Sequence, residues 1–196
     1  TAELIYKTTK QTFKKHLPLI EFSQDQLKAF VGPVLEESFS WYEKDINKVH
    51  EMIKTYREFN RINHESGVKP FPNVKETLSE LKARGYLIGI VSSKKNEFIR
   101  IGLNQNDLLQ YIDVIVGADD VSKPKPDKEP ILKALKELGC NADQSAMVGD
   151  HDGDILAAKA SGVVSIGVSY SIHYDKLLEA KPDYVVDDLI KLLEIF

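Results

Sequence analysis

The sequence contains a single cysteine, Cys140, so no internal disulfide can form, and a reducing, cytoplasmic compartment is the natural expectation. No apolar run approaches the roughly 20 residues of a membrane-spanning helix. The N-terminus carries neither a signal-type apolar stretch nor an Arg-rich presequence, so no membrane partner is expected. A basic excess is missing too. Lys and Arg number 26 against 30 Asp and Glu, a net charge of −4, and they are scattered rather than gathered into a stripe, which argues against nucleic acid as a partner. Internal repeats and low-complexity segments are also absent. What remains is a 196-residue chain, 42% hydrophobic, with material for one core plus a small accessory domain. Cys140 sits in Glu137-Leu138-Gly139-Cys140-Asn141, an expected helix end, and reads as a spectator rather than a nucleophile.

Two zones differ in rhythm. Residues 1–68 have a helical period, clearest where Ile46, Val49, Ile53 and Tyr56 share a face that Met52, Phe59 and Ile62 widen. After Lys69-Pro70-Phe71-Pro72, residues 69–196 alternate apolar runs with helical stretches. Asn73 and Glu76 are spaced as a capping box opening a helix with Val74, Leu78 and Leu81 inward and Gly85 as its stop. Apolar runs at 86–91, 112–116, 146–148, 163–168 and 184–186 read as strands. A helix over 129–138, with Ile131, Leu132, Leu135 and Leu138 inward, closes at Gly139. Alternation of this kind predicts an α/β fold with a doubly wound, mostly parallel sheet, preceded by an all-helical domain.

Ligands of open parallel sheets bind beyond the carboxyl ends of the strands, so the residues after each run carry the functional expectation. Ile90-Val91 leads into Ser92-Ser93-Lys94. Val116 leads through Gly117-Ala118-Asp119-Asp120 to Ser122-Lys123-Pro124-Lys125-Pro126. Ala146-Met147-Val148 leads into Gly149-Asp150-His151-Asp152-Gly153-Asp154. A hydroxyl at a strand end beside the next helix offers donors to a phosphate, a role suited to Ser92, with Ser93 next to it. A lysine held by flanking prolines supplies a charge that barely moves; Lys123 fits best and Lys125 is the rival. Asp150 and Asp154, at a strand end and in the first turn of the next helix, converge as a hard-oxygen site for Mg²⁺. Each feature alone has an ordinary explanation, as a helix cap, a solvated lysine or a helix-dipole complement. Their shared edge and order favour the joint reading.

The trio Ile90-Val91-Ser92, Lys123-Pro124-Lys125-Pro126 and Gly149-Asp150-His151-Asp152-Gly153-Asp154 resembles motifs two, three and four of the haloacid dehalogenase superfamily. The helical zone resembles that superfamily's C1-type cap. Phe30-Val31-Gly32-Pro33 and Tyr56-Arg57-Glu58-Phe59-Asn60 add a likeness to phosphoglycolate phosphatases and related bacterial pyrophosphatases. The family's first motif, Asp-x-Asp-Gly-Thr on the central strand, has no match. Thr1-Ala2-Glu3-Leu4 resembles the residues just after it, so the chain reads as beginning past the nucleophile and the central first strand.

The resemblance implies a Mg²⁺-dependent phosphohydrolase acting on a small phosphorylated substrate, a phosphoglycolate-like monoester or pyrophosphate, through an aspartyl-phosphate. It implies Lys123 and Ser92 as catalytic residues, and Ser92, Ser93, Lys123, Gly32 and Pro33 as substrate contacts, with Asp150 and Asp154 at the metal. For Gly32 and Pro33 a plain helix-breaking turn is an equal reading. The alternatives are a receiver-like or otherwise non-catalytic phosphate-binding module, and a metal-independent dehalogenase of the same superfamily.

Overall fold

The computed structural model describes residues 2–196, apart from the side chains of residues 64–67; Thr1, the first residue of the expected helical zone, lies outside the described residues. The chain divides into two compact units, the first ending at Lys69 and the second running from Pro70 to Phe196.

The first unit is helical: α1 (Ala2–His16), α2 (Gln24–Lys28), α3 (Leu35–Ser40) and α4 (Ile46–Gly67). Its core is an aromatic cluster around Phe13, fully buried, whose ring meets Phe22, Phe39 and Tyr42 edge-on at centroid separations of 4.8, 5.5 and 5.3 Å. Edge-to-face contact is the arrangement that aromatic quadrupoles favour. Along α1 and α4 a polar seam sets the register. Asn63 Nδ2 donates to Gln11 Oε1 at 2.6 Å and to Thr8 Oγ1 at 3.3 Å, while His16 Nε2 and Thr55 Oγ1 are 2.8 Å apart. Val49, Met52, Ile53 and Tyr56 form the buried face of α4. Ile46 and Ile62, expected on that face, are 46% and 69% exposed. They stand in the first turn and toward the C-terminal end of a 22-residue helix, a length over which a straight helix drifts off a fixed stripe.

In the second unit, α5 (Val74–Ala83), β1 (Gly89–Val91), α6 (Asn96–Gln105), β2 (Val114–Val116), α7 (Glu129–Leu138), β3 (Ala146–Gly149), α8 (Asp152–Ser161), β4 (Val164–Val168), α9 (Tyr174–Glu179), β5 (Tyr184–Val186) and α10 (Leu192–Ile195) alternate in the expected α/β order. All strand pairing is parallel, in two sheets of order β1-β2 and β3-β4-β5. Among the described residues β1 and β3 share no ladder. The sheets are joined by packing, in a cluster where Ile131 of α7 and Ala157 and Ala158 of α8 meet Val91 of β1 and Met147 of β3.

Local chemistry explains where the elements differ from expectation. Only the last three residues of the 86–91 run pair as a strand. Tyr86 N instead donates to Leu81 O to close α5, and Ile88 is held by Asp113, through both its carboxylate (2.7 Å) and its amide (2.8 Å). The capping box at Asn73 is not formed. Asn73 sits at φ 58 with its side-chain amide donating to Asp188 Oδ2 at 2.6 Å, and Thr77 Oγ1 returns to Asn73 O at 2.7 Å. Leu132, expected inward on α7, is 40% exposed, and Ala134 takes the buried place beside Ile131. Gly139 ends α7 in the left-handed conformation, with Cys140 N donating to Leu135 O in a Schellman-type closure.

Candidate active site

The residues expected to carry the chemistry lie past the carboxyl ends of β1, β2 and β3. Past Val91, Ser92 N extends the ladder by donating to Val116 O at 3.0 Å, and Ser92 Oγ accepts from Lys94 N at 3.2 Å. Ser92 is half-buried, and its hydroxyl proton makes no bond among the described residues. Ser93 is exposed.

The loop after β2 decides between the two lysines. The Glu129 carboxylate collects Ser122 N (2.8 Å), Ser122 Oγ (2.8 Å) and Lys123 N (2.9 Å), and those donors hold it below the usual carboxylate range. Tying the backbone of Ser122 and Lys123 down in this way leaves the Lys123 side chain exposed. Lys125 turns inward instead. Its Nζ donates to Val91 O at 3.0 Å and pairs with Asp154 Oδ1 at 2.6 Å, with both side chains about nine-tenths buried. The structure thus places Lys125, not Lys123, at the end of β1.

Asp154 lies in the first turn of α8. Its Oδ2 accepts from Asp150 N and His151 N, each at 3.1 Å, while Oδ1 faces Lys125. Both oxygens are engaged, so Asp154 organises the loop and the lysine rather than facing outward. Gly149 makes this possible, since a Cβ there would stand 2.2 Å from Asp154 Cβ and 2.5 Å from Oδ2. Asp150, one residue past the strand, is exposed, and its carboxylate accepts no hydrogen bond among the described residues. Burial lowers the Lys94 pKa, and the negative charge of Asp150 partly offsets this.

Among the described residues no group of three or more His, Cys, Asp or Glu side chains is clustered as a metal cage. Asp150 nevertheless fits a hard cation of the Mg²⁺ type, which commonly takes one or two carboxylates and completes its octahedron with water and substrate oxygens.

The model of the haloacid dehalogenase-like hydrolases matches residues 1–168. The chain belongs to this family. It is 39% identical to the pyrophosphatase PpaX of Bacillus mycoides over 196 residues, 100% of this chain and 90% of that protein. To PpaX of Bacillus velezensis it is 38% identical, over 100% and 89%. A predicted phosphatase from Clostridium acetobutylicum superposes with a TM-score of 0.83 at 28% identity, covering 99% of this chain and 90% of that one. A haloacid dehalogenase-like family hydrolase from Streptococcus pneumoniae shares the fold with a TM-score of 0.86 at 23% identity, over 100% and 91%.

Membership makes the chain a hydrolase and sets aside the receiver-like module, since the matched region spans the helical unit and most of the sheets. Within the haloacid dehalogenase-like fold, Ser92, Lys125, Asp150 and Asp154 all lie in the second unit. Gly32 and Pro33 lie in the first, in the turn between α2 and α3, where Gly32 is exposed with φ 113. Two features escaped the sequence. Lys94 directly follows Ser92 and Ser93 and could have been flagged by that placement alone. The loop after β4 reaches the site through Ser171, whose Oγ donates to Asp150 O, and through His173, whose ring meets His151. No motif announced that contact.

Proposed function

We propose that this hydrolase is a Mg²⁺-dependent phosphohydrolase of small phosphorylated metabolites, a diphosphate or a phosphomonoester. The observation that carries the reading is the Lys125–Asp154 pair, which joins the end of β1 to the first turn of α8 beside Ser92 and the free Asp150 carboxylate. A buried lysine, a strand-end hydroxyl and a hard-oxygen ligand together are a phosphoryl-binding set. The pyrophosphatase name of the relatives points to the same substrate class.

In this reading Ser92 donates its hydroxyl proton to a phosphoryl oxygen, with Ser93 beside it. Lys125 takes the charge-balancing role expected of Lys123 and is kept from swinging away by Asp154 and Val91 O. Asp150 holds Mg²⁺, which supplies neutralisation of the phosphoryl charge. Asp154 supports that site from behind through the amides of residues 150 and 151. An Asp-x-Asp-Gly-Thr nucleophile motif does not occur in the 196 residues, so the attacking group is assigned to none of them. A reducing, cytoplasmic setting belongs to the same proposal, in keeping with the lone Cys140.

The test is phosphate release from pyrophosphate and from 2-phosphoglycolate by the full-length protein over a Mg²⁺ titration. Asp150→Asn should lower Mg²⁺-dependent turnover by about 10²–10³-fold, the scale of a lost electrostatic group in an active site. Its melting temperature should stay unchanged, because the Asp150 carboxylate accepts no hydrogen bond among the described residues. Near-normal turnover in that variant rules the assignment out.

A further inference from the structure

Asp150 is held at both ends of its backbone by side chains from two different segments, while its carboxylate is left open. Asp150 N donates to Asp154 Oδ2 of α8 at 3.1 Å, and Asp150 O accepts from Ser171 Oγ, in the segment that leaves β4. The carboxylate itself is exposed and accepts no hydrogen bond among the described residues. Fixing the amide and the carbonyl of one residue fixes the two peptide planes that flank it, and with them the direction of its Cα–Cβ bond. Only χ1 and χ2 then remain to place the carboxylate.

The Asp154 contact belongs to the phosphoryl-binding set; the Ser171 contact does not. A serine hydroxyl has one proton and two lone pairs. One lone pair of Ser171 accepts from His173 N at 2.9 Å, and the proton goes to Asp150 O. The segment that presents this hydroxyl is itself anchored. β3 and β4 are parallel neighbours with Gly149 opposite Gly167, which brings the residues after the two strands to one edge. Ser169 N donates to Val186 O at 2.9 Å, and Ser171 N to Val168 O at 3.3 Å. Between them Tyr170 packs against the cluster of Ile166, Val168, Val186 and Leu192, with its ring centroid 4.4 Å from that of Phe71. The donor therefore comes from a supported turn, as a group that must hold another in place requires.

We infer that Ser171 is a positioning residue for the Asp150 carboxylate, fixing the metal site from the β4 side as Asp154 fixes it from α8. The inference rests on the reading of Asp150 as a Mg²⁺ ligand and deepens it. Mg²⁺ demands near-ideal octahedral geometry, whereas Ca²⁺ accepts irregular shells of oxygen. A carboxylate on a loosened backbone therefore loses Mg²⁺ before it loses Ca²⁺, and Ser171 contributes to the choice of metal as well as to its retention.

The experiment measures binding of Mg²⁺ and of Ca²⁺ to the full-length protein, without substrate, by isothermal titration calorimetry. The proteins are wild type, Ser171→Ala, Ser171→Thr and Asp150→Asn. Urea midpoints in a chelator, and phosphate release from pyrophosphate and from 2-phosphoglycolate over a Mg²⁺ titration, accompany it. Ser171→Ala should weaken Mg²⁺ binding by about 10-fold, the lower end for a lost group that orients a metal ligand, and Ca²⁺ binding by less. The Mg²⁺ concentration for half-maximal turnover should rise in step, while kcat at saturating Mg²⁺ is retained. Ser171→Thr, which keeps the hydroxyl, should restore both. A purely structural role gives a lower urea midpoint with Mg²⁺ affinity and the Mg²⁺-to-Ca²⁺ ratio unchanged, and that result overturns the inference. So does a loss of affinity that Ser171→Thr fails to restore. Either outcome leaves the phosphohydrolase reading standing as long as Asp150→Asn abolishes Mg²⁺ binding. If Asp150→Asn binds Mg²⁺ as well as wild type does, the reading of Asp150 falls, and the inference with it.

Discussion

Replacing Lys125 by Met, an uncharged chain of similar length, removes the ammonium that stands 2.6 Å from Asp154 Oδ1 and 3.0 Å from Val91 O. The Lys125 and Asp154 side chains are only 11% and 9% exposed, so the stranded carboxylate cannot turn to water. Breaking a buried pair from one side typically costs about 3–5 kcal/mol. Asp154 keeps its two amide donors at Asp150 and His151, which puts the expected loss at the lower end, about 3 kcal/mol, or a fall of roughly 6–12 °C in Tm for a chain of this size. Activity should fall by about 10²–10³-fold, since the proposed function gives the same group the charge-balancing role at the phosphoryl group. Lys123→Met is the matched control. Its side chain is exposed and only its backbone amide is engaged, so stability should change by less than about 0.5 kcal/mol and turnover hardly at all. Lys125→Met combined with Asp154→Asn should cost less than the sum of the two single changes, because the second change removes the charge that the first one strands. Urea titrations and phosphate release on wild type and the four variants, Asp154→Asn included, decide the matter. If Lys123→Met proves the more damaging change, or if the double variant is additive, the assignment of the active-site lysine to Lys125 is wrong.

Gly149→Ala should destabilise by about 3 kcal/mol in urea titration, because the new Cβ collides with buried Asp154, whereas at Gly153 the nearest atom to a new Cβ is His151 Nδ1 at 3.4 Å and alanine should be tolerated. Equal midpoints for the two variants would contradict the close approach. Acid should weaken the second unit. Asp113, through Lys82 and the Ile88 amide, Asp120, through the Gly117 amide and Asn96, and Asp183, through Ser165, all have folded pKa values below the ordinary 3.8. For a lowered carboxylate the stabilisation is fully present above the unfolded pKa and is lost as pH falls through the folded one, so urea midpoints should hold from about pH 7 to 5 and drop below about pH 4. Asp183→Asn should flatten part of that drop, and midpoints that rise on acidification would count against the sign.

Much of the fold was legible because its causes are local. The α7 helix over Glu129–Leu138 and its stop at Gly139 follow from a 3.6-residue apolar period and the freedom of glycine to adopt φ 68. β5 is a bounded apolar run, recovered at Tyr184–Val186. The break at Lys69-Pro70 coincides with the boundary between the two compact units because prolines close the helical option there. Where expectation and structure part, a non-local partner intervened. Asn73 spends its amide on Asp188, 115 residues away, instead of capping α5. Asp113 takes Ile88 out of the strand.

At the site, the residue types, their order and their place after the strands were properties of the sequence by itself, since strand-end position is set by the apolar runs that precede it. Which lysine turns inward was not. Lys123 and Lys125 are both flanked by proline, and the choice between them turns on Glu129 binding the backbone of one while Asp154 and Val91 O hold the ammonium of the other. The division of labour between Asp150 and Asp154 is of the same kind. Identical side chains four residues apart differ because one is exposed and accepts no hydrogen bond among the described residues, while the other is locked by two amides and a buried cation. Sequence determines which groups are available at a sheet edge; burial and the hydrogen-bond partners brought by distant segments determine which of them remain free to meet a ligand.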